Sequence, residues 1–161
     1  MRSSKGAAIH GTRTLLLDTL QLVLEQSPLT KAHSKKLRYA RGRGYVQKTV
    51  AGYSITPKGK AMLSERQIWE LEIPIPKRWD GMWHLILFDI PKDKRKRRDI
   101  FRLRLKELGF TLYQNSVWVH PHPCEQVVQQ VAEFYHLSKC VSFIEASEIS
   151  GEDSLIKRYE L

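Results

Sequence analysis

The segment HLILFDI, residues 84–90, limits the possible folds of this chain more than any other. In an extended strand, alternate side chains point to opposite faces. One face would carry Leu85, Leu87 and Asp89, and the other would carry His84, Ile86 and Phe88. Both faces are largely apolar, so the segment predicts a central strand in a sheet that is covered on both sides.

The sequence after this strand predicts the order βαββαβ. The expected elements are a helix over about 93–108, extended segments over 110–115 and 116–120, a helix from Pro123 and a strand over 141–145. This order is typical of a ferredoxin-like α+β sandwich, in which both helices cover one sheet face. The other face then needs a cover, either a second copy of the chain or the preceding part of the same chain. We favour the second copy, and so a homodimer.

The N-terminal part predicts a different domain. The expected elements are helices over 12–25 and 32–41, a hairpin over 45–56 and a helix that begins at Thr56-Pro57, with Thr56 as its N-cap. The segment GYVQKTVAGYSITPKGKAML, residues 44–63, resembles the wing and following helix of winged-helix DNA-binding domains. Only 18 residues separate Glu25 from Gly44, so we expect the middle helix of that fold to be reduced or missing.

These patterns divide the chain into four parts. They are a reduced winged-helix DNA-binding domain (1–70), a linker (71–82), a ferredoxin-like dimerisation domain (83–149) and an acidic C-terminal tail (150–161). Pro74 and Pro76 mark the linker, because they favour extended backbone.

Positive charge is concentrated in two parts of the sequence. The net charge is +10; residues 1–60 hold 12 Lys and Arg against two acidic residues, and residues 92–106 hold nine against two. Concentrated basic segments favour a polyanionic partner, most simply nucleic acid, over a merely solvated surface. The first basic cluster consists of Lys35, Lys36, Arg38, Arg41, Arg43 and Lys48. The second basic cluster consists of Lys94, Arg95, Lys96, Arg97 and Arg98.

The second basic cluster falls in the first turns of a predicted helix. The helix dipole disfavours each cation there by about 0.3–1 kcal/mol at low salt. Stability alone does not select cations at such positions, so we expect them to contact backbone phosphates of a nucleic acid. The alternative is that Glu145, Glu148 or the acidic tail of a second copy neutralises them.

Other residue types suggest further hypotheses. The segment HPHPC contains the zinc-ligand types His120, His122 and Cys124, but its prolines favour an extended run into a helix start. The four tryptophans are expected to pack rather than to stack on bases. The chain has no apolar run near the roughly 20 residues of a membrane span, no apolar core in its basic N-terminus and only two cysteines. We therefore expect no secretory signal, no membrane partner and a cytoplasmic location.

Residues 79–146 resemble two related families. The apolar strand that ends in Asp89, the basic helix and the segment QNSVWV (114–119) are similar to the small CRISPR adaptation endonuclease, the second Cas protein. The FDIP turn, the LGF helix end and the SVWV strand look closer to the C-terminal part of PaaX-type transcriptional repressors, which also carry a winged helix in front. The repressors imply a dimeric DNA-binding regulator. The endonuclease implies the CRISPR integrase as an alternative partner.

The resemblance indicates one candidate catalytic and metal-binding residue, Asp89. In the CRISPR family the matching aspartates of two subunits are proposed to hold a divalent cation near the dimer axis and to support phosphodiester hydrolysis. For this chain that implies Asp89 as a ligand of Mg²⁺. The alternative is that Asp89 caps the turn before the basic helix.

We therefore expect a dimeric, sequence-specific, double-stranded DNA-binding protein of the transcription-regulator type. Enzymatic activity stays open at this stage, although the sequence favours binding. The alternatives are a Mg²⁺- or Mn²⁺-dependent endonuclease or a nuclease-derived structural subunit of CRISPR adaptation, and an RNA-binding or RNA-cleaving module of the toxin–antitoxin type.

Overall fold

The computed structural model describes residues 16–161. The chain separates into two compact units that meet between Gln67 and Ile68, and each unit has an apolar core of its own. The part of the predicted first helix before residue 16 lies outside the described residues. Among the residues described, no helix is both long and apolar enough to cross a lipid bilayer.

The first unit has the elements expected of a reduced winged helix. They are α1 (described over 16–24), α2 (Ser34–Gly42), β1 (Val46–Thr49), β2 (Gly52–Ile55) and α3 (Pro57–Glu70). Within residues 25–33, all of which are described, the only regular element is a 3₁₀ turn at Lys31–His33. The middle helix is therefore reduced to one turn, as the short spacing predicted, and α2 leads directly into the antiparallel hairpin β1–β2.

The core of the first unit draws on every element but uses little of α2. Its buried members are Leu16, Leu17, Leu20, Val23, Leu37, Ala40, Val46 and Leu63. Only two of them, Leu37 and Ala40, belong to α2. The remaining side chains of this helix are therefore available to solvent or to a partner.

Thr56 joins the hairpin to α3. Its hydroxyl lies 2.6 Å from the carbonyl oxygen of Gly44 and 3.1 Å from that of Tyr45. The backbone N–H of Gly59 donates to the same hydroxyl at 3.2 Å, which confirms the predicted N-cap. One side chain thus fixes the start of α3 against the start of the wing.

The second unit has the predicted βαββαβ order, with one further helix. Its elements are β3 (Trp83–Phe88), α4 (Arg95–Glu107), β4 (Thr111–Gln114), β5 (Val117–His120), α5 (Glu125–Phe134), β6 (Val141–Ala146) and α6 (Glu152–Tyr159). The strands form one antiparallel sheet in the order β4-β5-β3-β6. The extended run over 110–120 is two strands, because Asn115 turns the chain with a φ of 44°.

Helices α4 and α5 cover one face of this sheet, as predicted. The core between them contains Ile86 and Phe88 of β3, Phe101 and Leu105 of α4, and Val128 of α5. Residues 71–82 form no helix or strand, but the side chain of Ile73 is buried in this same core.

The opposite face of the sheet is where the structure departs from the sequence analysis. Residues 150–161 are not a free acidic tail, because α6 packs on this face and buries Leu155 against Trp83, Leu85 and Val119. Trp79 adds to the same cluster. The expectation that a second copy must cover this face is therefore wrong for that part of it. The other possibility, cover by the preceding part of the chain, holds only for Trp79, because most of the cover comes from α6, which follows the sheet in sequence and was not anticipated.

Local sequence explains why α6 forms. Gly151 precedes it with a φ of 75°, a left-handed conformation that glycine adopts readily. Glu152 and Asp153 fall in its first turn and Lys157 and Arg158 in its last turn, which is the favourable arrangement for the helix dipole. The acidic residues that suggested a tail therefore lie in the first turn of α6, where negative charge stabilises a helix.

Tyr159 and Trp83 attach α6 to the sheet by hydrogen bonds. The Tyr159 hydroxyl lies 2.8 Å from Thr111 Oγ1 and 3.0 Å from the carbonyl oxygens of Gly109 and Val119. Trp83 Nε1 donates to Glu152 Oε2 at 2.9 Å. These polar contacts add to the apolar burial of Leu155.

Candidate nucleic-acid interface

The structure brings the first basic cluster together on one part of the first unit. Lys35, Lys36, Arg38 and Arg41 project from α2, Arg43 follows its end and Lys48 lies on β1. All six are exposed except Lys36, which is half-buried. We call these six residues, together with Lys31 just before α2, the α2–wing surface.

The α2–wing surface carries no compensating negative charge. Residues 26–64 contain nine Lys and Arg and no Asp or Glu. Among the described residues, no carboxylate lies within 4.0 Å of any member of this surface. A helix that precedes a hairpin and presents uncompensated cations has the geometry and charge of a DNA-contacting element.

Arg43 of this surface and the nearby Lys58 also have local structural contacts. The guanidinium of Arg43 lies over the ring of Tyr39, 5.4 Å from its centroid. Lys58 Nζ donates to the carbonyl oxygen of Arg43 at 2.8 Å and lies 5.0 Å from the ring centroid of Tyr45. These contacts hold the turn between α2 and the wing.

Sequence analysis missed Lys31 as a member of this surface. Its signal was present, since Lys31 falls in the same acid-free run as the other cations. Its position beside α2 depends on the 3₁₀ turn at Lys31–His33; the sequence predicted a reduced or missing middle helix but not which residues would form the remaining turn.

The second basic cluster is partly paired within its own helix. Arg95 Nε lies 3.8 Å from Asp99 Oδ2, and Arg98 Nε lies 3.5 Å from Asp99 Oδ1. Lys96 and Arg97 are exposed, and no carboxylate of the described residues lies within 4.0 Å of them.

Two of the partners suggested for this cluster by the sequence, Glu145 and Glu148, do not pair with it within the described residues, whereas the acidic tail of a second copy stays a prediction. Glu145 pairs instead with the imidazole of His84, at 3.4 Å from Nδ1. Glu148 pairs with no member of the cluster among the residues that the structure describes. Asp99, which lies four positions after Arg95 and one after Arg98, supplies the compensation.

Asp89 is an exposed carboxylate at the end of β3. Its backbone N–H donates to the carbonyl oxygen of Cys140 at 3.0 Å. The turn-capping interpretation is wrong, because Pro91 precedes the 3₁₀ turn and no described group donates a hydrogen bond to the Asp89 side chain. The described residues also contain no group of three or more His, Cys, Asp or Glu arranged to hold a metal ion. One chain therefore offers one carboxylate at this position and does not form a divalent-cation site alone, so no hydrolytic step follows from it.

The HPHPC segment lies at one end of the sheet and is buried except for Pro123. His120 Nδ1 accepts a hydrogen bond from the backbone N–H of His122 at 3.1 Å, and His84 lies opposite His120 in the β3–β5 register. Cys124 is buried, and this burial raises the pKa of its thiol to about 12, so it does not resemble a reactive nucleophile. The described residues do not bring a zinc-binding set together here, and the zinc hypothesis is wrong for them.

Burial of these histidines makes the stability of the fold depend on pH, because the folded chain binds protons at these sites less readily than the unfolded chain. It lowers the pKa of His120 to about 4; the charges of His122 and His84 act in the same direction, while the hydrogen bond with the His122 backbone opposes it. Burial likewise lowers the pKa of His122, and the carboxylate of Asp80 opposes that shift.

The free energy of unfolding is expected to fall as the pH is lowered from about 6.5 to about 4. The unfolded chain takes up a proton in this range that the buried His120 does not accept, so the loss begins near the unfolded pKa and ends near the folded one. His120 alone contributes about 3 kcal/mol to this loss. Urea unfolding of the wild type and of His120→Asn at pH 7 and pH 5 measures it. Asparagine keeps an acceptor for the His122 N–H, so the variant should depend less on pH; equal pH dependence in both proteins would contradict the assignment.

The tryptophans pack as predicted. Trp83 and Trp118 are buried, and Trp79 Nε1 donates to the carbonyl oxygen of Met82 at 3.0 Å. The guanidinium of Arg104 lies 5.5 Å from the ring centroid of Trp69.

Comparison with known protein families identifies the second unit. Residues 76–156 match the model of the PaaX protein central Cas2-like domain. The match covers half of the chain and runs from before β3 into α6, so the first five residues of α6 fall inside the family's domain. Among curated proteins, no relative matches the chain. The chain therefore belongs to the PaaX family, and residues 76–156 form the central Cas2-like domain of that family.

Proposed function

We propose that this protein is a cytoplasmic transcriptional regulator that binds a specific double-stranded DNA site through the α2–wing surface. The observation that carries the proposal is the run of exposed, uncompensated cations on α2 and the adjoining hairpin. Membership of the PaaX family supports the regulatory role. The location is supported by the two cysteines, Cys124 and Cys140, which are both unpaired.

The geometry of the α2–wing surface favours binding of duplex DNA over the alternative that the surface only contacts solvent. An α-helix fits the major groove, and a two-stranded wing beside it can follow the phosphate backbone. Cations that neutralise phosphates release bound counterions, so binding of this kind is strongest at low salt. A solvated surface would not need the exclusion of all acidic residues from positions 26–64.

The second basic cluster supports additional, sequence-independent contacts. Lys96 and Arg97 lie near the N-terminus of α4, where the free backbone N–H groups and their own positive charges favour phosphate oxygens. Such contacts position a protein on DNA without reading its sequence.

Reversing two charges on α2 is expected to abolish most of the DNA binding. The double variant Lys36→Glu/Arg38→Glu places two carboxylates against the phosphate backbone and should weaken binding on the order of 100-fold at 0.1 M salt. Fluorescence anisotropy with a random-sequence duplex measures the affinity, and footprinting of selected duplexes tests for one preferred site.

The matched control is Lys157→Glu/Arg158→Glu. It makes the same charge change at two exposed positions of α6, outside both basic clusters. This control should bind DNA nearly as well as the wild type. Equal loss in the two double variants would contradict a specific α2–wing surface and indicate only a general charge effect.

We also propose that the regulator is a homodimer that uses the β6 edge of its sheet. β6 is an outer strand of six residues, so one row of its backbone hydrogen-bonding groups has no partner strand among the described residues. Ile144 is 48% exposed there and lies opposite Leu85 in the register, beside the face that α6 partly covers. A two-fold pairing at this edge would fix the spacing of two DNA half-sites.

The variant Ile144→Glu is expected to shift the protein from dimer to monomer. It puts a charge on the proposed interface. Because the side chain of Ile144 is already exposed in the folded chain, the charge should not disrupt the fold. The matched control is Leu112→Glu, because Leu112 is 52% exposed on the opposite edge strand, β4. Light scattering at micromolar concentration should find a dimeric wild type, a dimeric control and a monomeric Ile144→Glu. A monomeric wild type would contradict the proposal.

A further inference from the structure

A cleft of about 520 Å³ lies within the first unit, between α2 and the hairpin. One wall is a stripe of α2 formed by Ser34, Arg38 and Arg41. These residues recur at intervals of four and three, so they lie on the same face of the helix. Leu37 also lines the cleft, where its buried side chain anchors this face of α2 to the core.

The other side of the cleft comes from two separate parts of the chain. Lys31 reaches it from the 3₁₀ turn before α2, and Tyr53 reaches it from β2. The cleft therefore exists only because the reduced middle helix and the wing both pack against α2.

Thr30 at the edge of the cleft contacts His33 Nδ1 through its hydroxyl, at 3.1 Å, but the other polar side chains of the cleft have no partner among the described residues. Among the described residues, Lys31, Arg38 and Arg41 form no ion pair and donate no side-chain hydrogen bond. The hydroxyls of Ser34 and Tyr53 likewise make no hydrogen bond to any residue that the structure describes. Three cations and two hydroxyls thus surround one space with unused donors.

This set of groups specifies the chemistry of a ligand. Lysine and arginine side chains are donors only, so they need acceptor oxygens on the other side. Three like charges around one space repel one another unless an anion lies between them. A phosphate group offers both the charge and several acceptor oxygens, and arginine matches its geometry in a two-point contact.

The size and position of the cleft favour a phosphate that belongs to a polymer. The volume is within the range of ligand sites and exceeds the needs of one phosphate, so an adjoining sugar also fits. The basic surface continues beyond the cleft to Lys35 and Lys48, which do not line it. A small free phosphate would not contact Lys35 and Lys48, whereas a DNA strand would cross both the cleft and the basic surface beyond it.

We propose that this cleft holds a backbone phosphate of the bound duplex and thereby fixes the position of α2 along the DNA. The inference rests on the proposed DNA-binding function. It assigns unequal roles within the basic surface: cleft residues hold one defined phosphate, and the residues outside it contribute mainly long-range attraction. Lys31, which is not on the helix at all, belongs to the first group.

Two double variants with the same change of charge test this assignment. Lys31→Gln/Arg41→Gln removes two cations from the cleft, and Lys35→Gln/Lys48→Gln removes two from outside it. Binding to a random-sequence duplex should weaken on the order of tenfold more in the cleft variant, with a salt dependence reduced by about one phosphate contact. Circular dichroism of each full-length variant checks that both remain folded.

Inorganic phosphate provides a test that does not depend on DNA. In a ¹⁵N-labelled full-length protein, millimolar phosphate should shift the amide signals of Lys31, Ser34 and Tyr53 in the wild type and in the Lys35→Gln/Lys48→Gln variant. It should not do so in Lys31→Gln/Arg41→Gln.

Each other outcome overturns a defined part of the proposal. Equal losses of duplex affinity in the two variants, or phosphate shifts spread over the whole basic surface, would overturn the cleft as a site. Localised phosphate shifts in a protein that binds no duplex would overturn the proposed DNA-binding function and identify a free phosphorylated molecule as the occupant.

Discussion

Replacing Gly59 with alanine is expected to destabilise the first unit by about 2 kcal/mol and to weaken DNA binding with it. A Cβ at this position would overlap the carbonyl oxygen of Tyr45 and come within 2.7 Å of Ile55 Cγ1. The clash costs about 3 kcal/mol, because a backbone oxygen cannot move aside cheaply. Alanine gains about 1 kcal/mol of helix propensity over glycine, so the clash prevails.

The effect of Gly59→Ala on DNA binding follows from the same contact. Gly59 packs where Thr56 fixes α3 to the start of the wing, so any shift that relieves the clash moves the hairpin relative to α2. Chemical denaturation measures the stability, and anisotropy with a random-sequence duplex measures the binding.

Gly42→Ala is the matched control for this variant. Gly42 is the last residue of α2, its φ is not in the left-handed region, and a Cβ there would meet no atom within 4 Å. This control should be as stable as the wild type or slightly more stable. If Gly59→Ala were equally well tolerated, the close packing of α3 against the wing would be incorrect.

Replacing Arg104 with alanine is expected to destabilise the second unit by about 3 kcal/mol. Arg104 is only 3% exposed, and burial lowers its pKa while Glu107 opposes that shift. Its Nε donates to the carbonyl oxygen of Ile68 at 3.0 Å, and its Nη2 donates to that of Leu71. Alanine would leave both carbonyls without this donor and remove the guanidinium that lies over the ring of Trp69.

Two further variants separate the causes in the Arg104 prediction. Lys106→Ala changes an exposed cation on the same helix and should alter stability by less than about 0.5 kcal/mol. Arg104→Lys keeps the charge but loses the planar fork that reaches two carbonyls, so it should fall between the wild type and alanine. Thermal unfolding followed by far-ultraviolet circular dichroism is the measurement. An Arg104→Ala protein as stable as Lys106→Ala would show that these two hydrogen bonds contribute little.

The order of elements was predictable because its signals are local. The strand over 84–90 and the helix after it carry their periodicities within a few residues, and Thr56-Pro57 marks a helix start by itself. The reduced middle helix also followed from spacing alone. These features need no knowledge of distant contacts.

The position of α6 could not be predicted in the same way. Its acidic first turn resembles a solvated tail, and its apolar residues Leu155, Ile156 and Tyr159 span less than two turns. Only the sheet that it covers gives these residues a place to pack. The sequence analysis therefore did not anticipate that α6 of the same chain covers part of this sheet face.

The candidate site was predictable in its charge but not in its shape. Residue counts located the basic N-terminal part, residues 1–60, and that part contains every cation of the α2–wing surface. Which of these cations surround one space depends on how the 3₁₀ turn and β2 pack on α2, and that is a tertiary property. In the second basic cluster, the pairing of Asp99 with Arg95 was visible in the sequence as a spacing of four, but it was overlooked.

The central claim is that α2 and the wing bind duplex DNA, and the salt dependence of duplex binding tests it most directly. The wild-type affinity for a random-sequence duplex should fall steeply and linearly on a log–log scale as salt rises, with a slope that corresponds to about five or more phosphate contacts. The Lys36→Glu/Arg38→Glu variant should have a much shallower slope, and Lys157→Glu/Arg158→Glu should keep the wild-type one. A wild-type protein with no measurable duplex affinity at 50 mM salt, or a slope that the α2 variant leaves unchanged, would contradict the account.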